Sequence, residues 1–188
     1  MSESLHAARA AAPGDLAVLR RRAAALARVP AGKRTEHTTP ALLFRLADEV
    51  YAIDATIVLQ VHVLRDMTPL AGARAPLFGI THWRGMVLTI LDLREQLGVR
   101  PRGLTDLGRV IVVGDARQPF GILADAAQDF IDLDETKVRP LPADEAAGRA
   151  LIRGITDDAV LVLDPQAVLR VGRSAATADD ATGPRRLK

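Results

Sequence analysis

From residue 41 onward the apolar positions come in short β-branched runs divided by turn residues, not at the three-and-four spacing of helices. Residues 42–46 and 50–53 flank Ala47-Asp48-Glu49 and predict a β-hairpin. Residues 57–63 continue as a strand, 69–76 form a loop, and 86–91 make another strand. A second hairpin joins 109–113 to 120–124 across Gly-Asp-Ala-Arg-Gln-Pro, and 160–163 closes the series. Helical signals are brief. Residues 92–97 suit one turn stopped by Gly98, and 165–169 suit another, with Asp92 and Asp164 placed as N-caps. Upstream, Asp15 opens an amphipathic helix over about 15–28 in which Leu16, Leu19, Ala23 and Leu26 share a face. That face suits packing on the domain better than insertion into a membrane surface, because no aromatic accompanies it. Past Gly172 the residues are small, polar and charged and predict a disordered tail.

The pattern repeats. Tyr51-Ala52-Ile53 matches Phe120-Gly121-Ile122 and Arg84-Gly85 matches Arg153-Gly154, both at an offset of 69 residues. Leu91-Asp92 matches Leu163-Asp164 at an offset of 72. Each half is too small to bury a comfortable core alone, so two short β units sharing an apolar interface are expected. A groove between such units is a natural dock for a helix.

Composition narrows the chemistry. The 188 residues contain no Cys, and Ser occurs only at 2, 4 and 174, which removes thiol chemistry and argues against a serine hydrolase. Net charge is +2, yet residues 1–38 carry +4, residues 170–188 carry +3 and the body between them carries −5. A nucleic-acid surface needs its cations gathered on the folded body, so a small-barrel nucleic-acid-binding module is a weak alternative. Neither a signal peptide nor a membrane-length apolar run is evident, and a cytoplasmic protein without direct membrane insertion is expected.

Candidate catalytic groups dissolve on inspection. His6, His37, His62 and His82 lack ligand spacing, so no metal is expected. Asp129, Asp132, Asp134 and Glu135 read as a solvated turn without calcium-loop spacing. No nucleotide or zinc-protease fingerprint is found, and neither catalysis nor a cofactor is expected. Thr81-His82-Trp83-Arg84-Gly85 stands out, holding the single Trp beside an Arg. It is either a core Trp with an ion-paired Arg or a recognition patch, since Trp and Arg are enriched in interface hot spots.

Taken in order, these segments resemble the CheW-like domain of bacterial chemotaxis-type signalling. Tyr51-Ala52-Ile53-Asp54 is similar to that family's Y-A/G-I-x segment, and Gly79-Ile80-Thr81-His82-Trp83-Arg84-Gly85 to its G-[VI]-x-N-L-R-G signature. Ile90-Leu91-Asp92-Leu93-Arg94 is similar to V-I-D-L-R, and Phe120–Asp125 to G-L/I-x-V/A-D. Arg139-Pro140-Leu141-Pro142 and Ile152-Arg153-Gly154-Ile155 resemble the later P-x-P and x-G-[VI] segments. The resemblance covers residues 41–169. Departures fall at Gln60, His82, Trp83 and Thr89, where the family favours Glu, Asn, Leu and Pro.

The resemblance implies a mainly β fold of two five-stranded SH3-like barrels with short helices. Residues 1–40 precede it as a tail with a helix, and 170–188 follow as a flexible tail. It implies a non-catalytic adaptor, monomeric in isolation and assembled in arrays at the inner face of the membrane. The adaptor would link the signalling hairpin of a methyl-accepting chemoreceptor to the regulatory domain of a CheA-type histidine kinase. A related alternative is an array spacer that binds the kinase without a receptor. By position, Val58, Gln60, Val61, Gly79, His82, Trp83 and Arg84 would lie at the receptor- or kinase-binding surfaces.

Overall fold

The computed structural model describes residues 37–70, 72–99, 108–115, 117–142, 146 and 148–180. The expected helix at 15–28 lies outside them. The described strands are β1 (Thr38–Leu46), β2 (Glu49–Asp54), β3 (Val58–Val63), β4 (Thr68–Pro69), β5 (Leu77–Trp83), β6 (Met86–Leu91), β7 (Arg109–Val113), β8 (Phe120–Ala124), β9 (Ala126–Asp134), β10 (Ile152–Ile155) and β11 (Leu161–Leu163). They are followed by helix α1 (Pro165–Asp180). Single 3-10 turns at Ala55–Ile57 and Glu135–Lys137 are each capped by an Asp, Asp54 and Asp134, that accepts from the Thr56 or Thr136 N–H.

These strands make a five-stranded sheet in the order β10-β11-β2-β1-β9 and a six-stranded sheet in the order β3-β7-β8-β6-β5-β4. Both predicted hairpins form, β1 on β2 and β7 on β8. They do not stay with their own halves. The early hairpin is completed by β9, β10 and β11, and the late hairpin by β3, β5 and β6. Two parallel pairings fix the exchange, Ala52 with Val162 and Gly121 with Ile90. Those pairs reproduce the offsets of 69 and 72 seen in the sequence.

The Arg-Gly echo is a false one. Arg84 and Gly85, at φ 50° and 79°, form the two-residue turn of the β5–β6 hairpin, where positive φ at both positions matches the twist of the strands. Arg153 and Gly154 lie inside β10. The true equivalent of Gly154 is Gly79: each sits past a register shift, opposite Val162 and Ile90 respectively. Each also lies where a Cβ would strike a carbonyl: one added at Gly79 would sit 2.7 Å from Thr68 O, and one at Gly154 2.5 Å from Arg139 O.

Among the described residues no backbone pairing closes either sheet, so the expected pair of closed five-stranded barrels is replaced by two open, rolled sheets, one of five strands and one of six. The central core between them comprises Leu42, Phe44, Leu46, Tyr51, Ile53, Leu91, Ile111, Ile122 and Leu163 with α1 residues Ala167, Val168 and Ala175. The other face of each sheet has its own apolar cluster. Burial on both faces explains why β8 is buried at every position instead of alternating. Arg94, only 3% exposed, bonds Asp125 Oδ1 at 2.7 Å, while Asp125 Oδ2 accepts from the Ala47 N–H at 2.6 Å. That chain ties the segment after β6 to the β8–β9 junction and the β1–β2 turn.

Two further expectations are corrected. Asp129 and Asp132 lie on strand β9, not in a turn: β9 is an edge strand, so acids occupy its solvent side without cost. The helix expected to end at 169 runs through the predicted tail to Asp180. Its small residues permit close packing, and a Cβ on Gly172 would collide with the Phe120 ring. No helix among the described residues is long and apolar enough to cross a membrane.

Candidate functional site

The expected docking residues fall on the six-stranded sheet, on β3, on β5 and in the turn after β5. A register shift between Val58 and Gln60 pushes Leu59 outward and divides β3 between two faces. Val58 and Val61 pack against the central core. Gln60 turns toward the opposite face, where its Oε1 accepts a 3.0 Å hydrogen bond from Trp83 Nε1. β3 is one edge of the sheet and β5 stands next to the other, so this bond draws the two ends of the roll together.

Trp83 is a packed side chain that also lines a concavity. It is 7% exposed and joins Leu88, Ile90, Val110, Val112 and Leu123 in the outer cluster, with Leu64, Met67 and Phe78 against it. Arg84 forms no ion pair among the described residues; its guanidinium carbon lies 4.7 Å from the centroid of the Trp83 ring, in cation–π range. Arg84 is exposed, and a planar guanidinium placed there is suited to carboxylates or helix-end carbonyls.

Gln60, His82, Trp83 and Arg84 line one concavity of about 660 Å³. Val58, Val61 and Gly79 do not: the valines serve the core, and Gly79 is buried beneath β4. Sequence reasoning missed Arg65, Asp66 and His62, which share the concavity; Thr81, inside the run that stood out, shares it too. Thr81 Oγ1 donates to Arg65 O at 3.2 Å and anchors the β3–β4 turn. The signal was faint, since only the run Arg65-Asp66 after a strand marks that turn, with Asp66 at φ 50°. His62 Nδ1 lies 3.0 Å from Val63 O, and its Nε2 is buried without a hydrogen bond.

Two further carboxylates serve the backbone. Asp164 Oδ1 accepts from the N–H groups of Gln166 and Ala167 at 2.8 and 3.2 Å, capping α1 as predicted. Asp92 Oδ1 accepts from the Arg94 N–H at 3.0 Å. Burial and a hydrogen bond to Glu49 push the Tyr51 phenol well above its usual range. Among the described residues no three His, Asp or Glu side chains gather as a metal site.

The sequence profile of the CheW-like domain matches residues 40–173. A probable chemotaxis protein CheW from Rhizobium etli is 28% identical over 101 residues, 54% of this chain and 65% of that protein. Chemotaxis protein CheW of Klebsiella aerogenes is 29% identical over 101 residues, 54% of this chain and 61% of its own length. The chain therefore spans slightly less than two thirds of these relatives. The crystal structure of scaffolding protein TtCheW from Thermoanaerobacter tengcongensis superposes with a TM-score of 0.59 at 27% identity, covering 68% of this chain and 89% of that one.

Proposed function

The chain belongs to the CheW-like domain family, and on that footing we propose that it is a non-catalytic signalling adaptor linking a chemoreceptor signalling hairpin to the regulatory domain of a CheA-type kinase. In this reading each rolled sheet is an SH3-like unit, and residues 41–169 with α1 form the adaptor domain. The protein works in the cytoplasm, in arrays under the membrane. The observation that carries the reading is the convergence of Gln60, His82, Trp83 and Arg84 on one concavity, with the Arg84 fork held over a buried indole. Val58, Val61 and Gly79 serve the same surface indirectly, by fixing the course of β3 and β5. Simultaneous binding holds the kinase against the receptor, so a receptor rearrangement shifts the kinase population.

The test is titration of the purified protein with a receptor hairpin and, separately, with the kinase regulatory domain. Arg84→Ala should weaken the hairpin about tenfold or more, the behaviour of a central interface Arg. It should leave the fold intact, because Arg84 is exposed. Binding to the kinase alone would point to an array spacer. Binding to neither partner by a folded protein would overturn the adaptor reading.

A further inference from the structure

The outer face of the five-stranded sheet holds a cavity of about 280 Å³ that the proposed docking role does not use. Ala41, Ala52, Leu133 and Val162 form its buried apolar floor, and Asp54, Glu135 and Arg153 contribute charge to its lining. The six-stranded sheet shows what fills the corresponding space. Ala52 corresponds to Gly121 and Val162 to Ile90 through the parallel pairings. Arg153, one residue before Gly154, then corresponds to Phe78. Asp54 pairs with Ala41 as Leu123 pairs with Val110. Leu133 corresponds to Leu64, since Ile131 pairs with Ala41 as His62 pairs with Val110. Phe78, Leu123 and Leu64 all pack into the apolar cluster of the six-stranded sheet. In the five-stranded sheet Leu133 keeps an apolar side chain, but Arg153 and Asp54 stand where the other sheet has Phe78 and Leu123, and the space above the floor is left open.

The charges are unequally committed. Arg153 Nη1 and Nη2 each bond one Glu135 oxygen at 2.7 Å, a fork that satisfies both groups. Asp54 Oδ1 accepts from the Thr56 N–H and hydroxyl at 2.8 and 2.6 Å, while its Oδ2 has no partner among the described residues. One negative charge is thus left beside an apolar floor.

We propose that this cavity binds a small primary amine with an apolar body. The ammonium pairs with Asp54, and the body occupies the space that Phe78 fills in the other sheet. The volume lies just below the roughly 300–1,000 Å³ of sites for drug-sized ligands, so the body is about the size of a phenyl ring. The inference does not depend on the adaptor reading, because the cavity shares no residue with the docking concavity.

The experiment is a heteronuclear NMR titration of the full chain with 2-phenylethylamine, using 3-phenylpropionate as a probe of similar body and opposite charge. Saturable shifts are expected in the amides of β1, β2 and β10 with the amine, and binding about tenfold weaker or absent with the acid. Asp54→Asn keeps a side chain able to cap the 3-10 turn and removes the charge. It should weaken the amine about tenfold. Arg153→Phe, which copies the other sheet, should fill the cavity and abolish the shifts. Amide spectra of β7 and β8 report whether each variant is folded. Equal shifts with amine and acid, no shifts with either, or binding that survives both variants would overturn the proposal.

Discussion

Both sheets roll until side chains from opposite edges meet, but the contacts at the seam differ in kind. In the six-stranded sheet an indole bonds Gln60 across the seam and fills the space inside it. In the five-stranded sheet Glu135 and Arg153 make an ion pair across the seam, above a cluster of Ala, Val and Leu. A buried aromatic seam contributes through area and packing, whereas a partly exposed ion pair is screened by water and contributes little. The internal repeat therefore preserves the path of the chain while one sheet forms a packed roll and the other a loosely filled one. The packed half also carries the candidate docking residues, so the surface that must hold its shape is the better supported.

The comparison is broken most forcefully at Trp83. Trp83→Ala should destabilise the protein by about 3–5 kcal/mol, the range for large aromatic truncations. Arg153→Ala should cost about 1 kcal/mol or less, because that pair is roughly one-third exposed. Urea unfolding of the two variants measures the contrast, and equal losses would refute it. Arg94→Ala strands Asp125 at the junction of both sheets, and about 3 kcal/mol should be lost, as for other broken buried pairs.

The corrected register of the repeat is tested by glycines. Gly79→Ala and Gly154→Ala should each cost about 1–3 kcal/mol through collision with a carbonyl. Gly85→Ala has open space and should cost only the 1–2 kcal/mol or so of a left-handed backbone. Thermal unfolding that ranked Gly85 with Gly79, and Gly154 apart from both, would restore the Arg-Gly correspondence.

The smallest effect expected concerns pH and salt. The Arg153 fork holds the Glu135 carboxyl below its ordinary range. A depressed carboxylate stabilises the fold at pH values above the unfolded pKa, and that contribution is lost as pH falls through the folded one. The wild type should thus lose slightly more stability below about pH 4.5 than Glu135→Gln does. Added salt should also narrow the difference between them at neutral pH. Chemical unfolding at several pH values and salt concentrations reads both.

Much of the fold was legible because the central core imposes it. The Leu42–Phe44–Leu46 alternation faces that core, the all-apolar run of β8 is covered on both faces, and periodicity alone marks both hairpins. β9 was hidden because an edge strand tolerates acids on its free side, so Asp129 and Asp132 read as a turn. The reach of α1 was hidden for a different reason: contact with Phe120 demands small residues, and small residues resemble a tail. At the candidate site, Trp83 and Arg84 stood out by residue type. Arg65 and Asp66 join them only because the sheet curls, a property of three dimensions that spacing along the chain does not encode.

The exchange of hairpins between the halves also bears on how the molecule comes into being. Thr38 takes its partner from Asp134, and Tyr51 from Leu161, so neither sheet can be completed from the first half alone. On a ribosome the early hairpin must wait, with its apolar faces uncovered, until nearly the whole domain has emerged. Such distant pairings make for slow folding. The same interlock gives a finished molecule whose halves cannot part without dismantling both sheets.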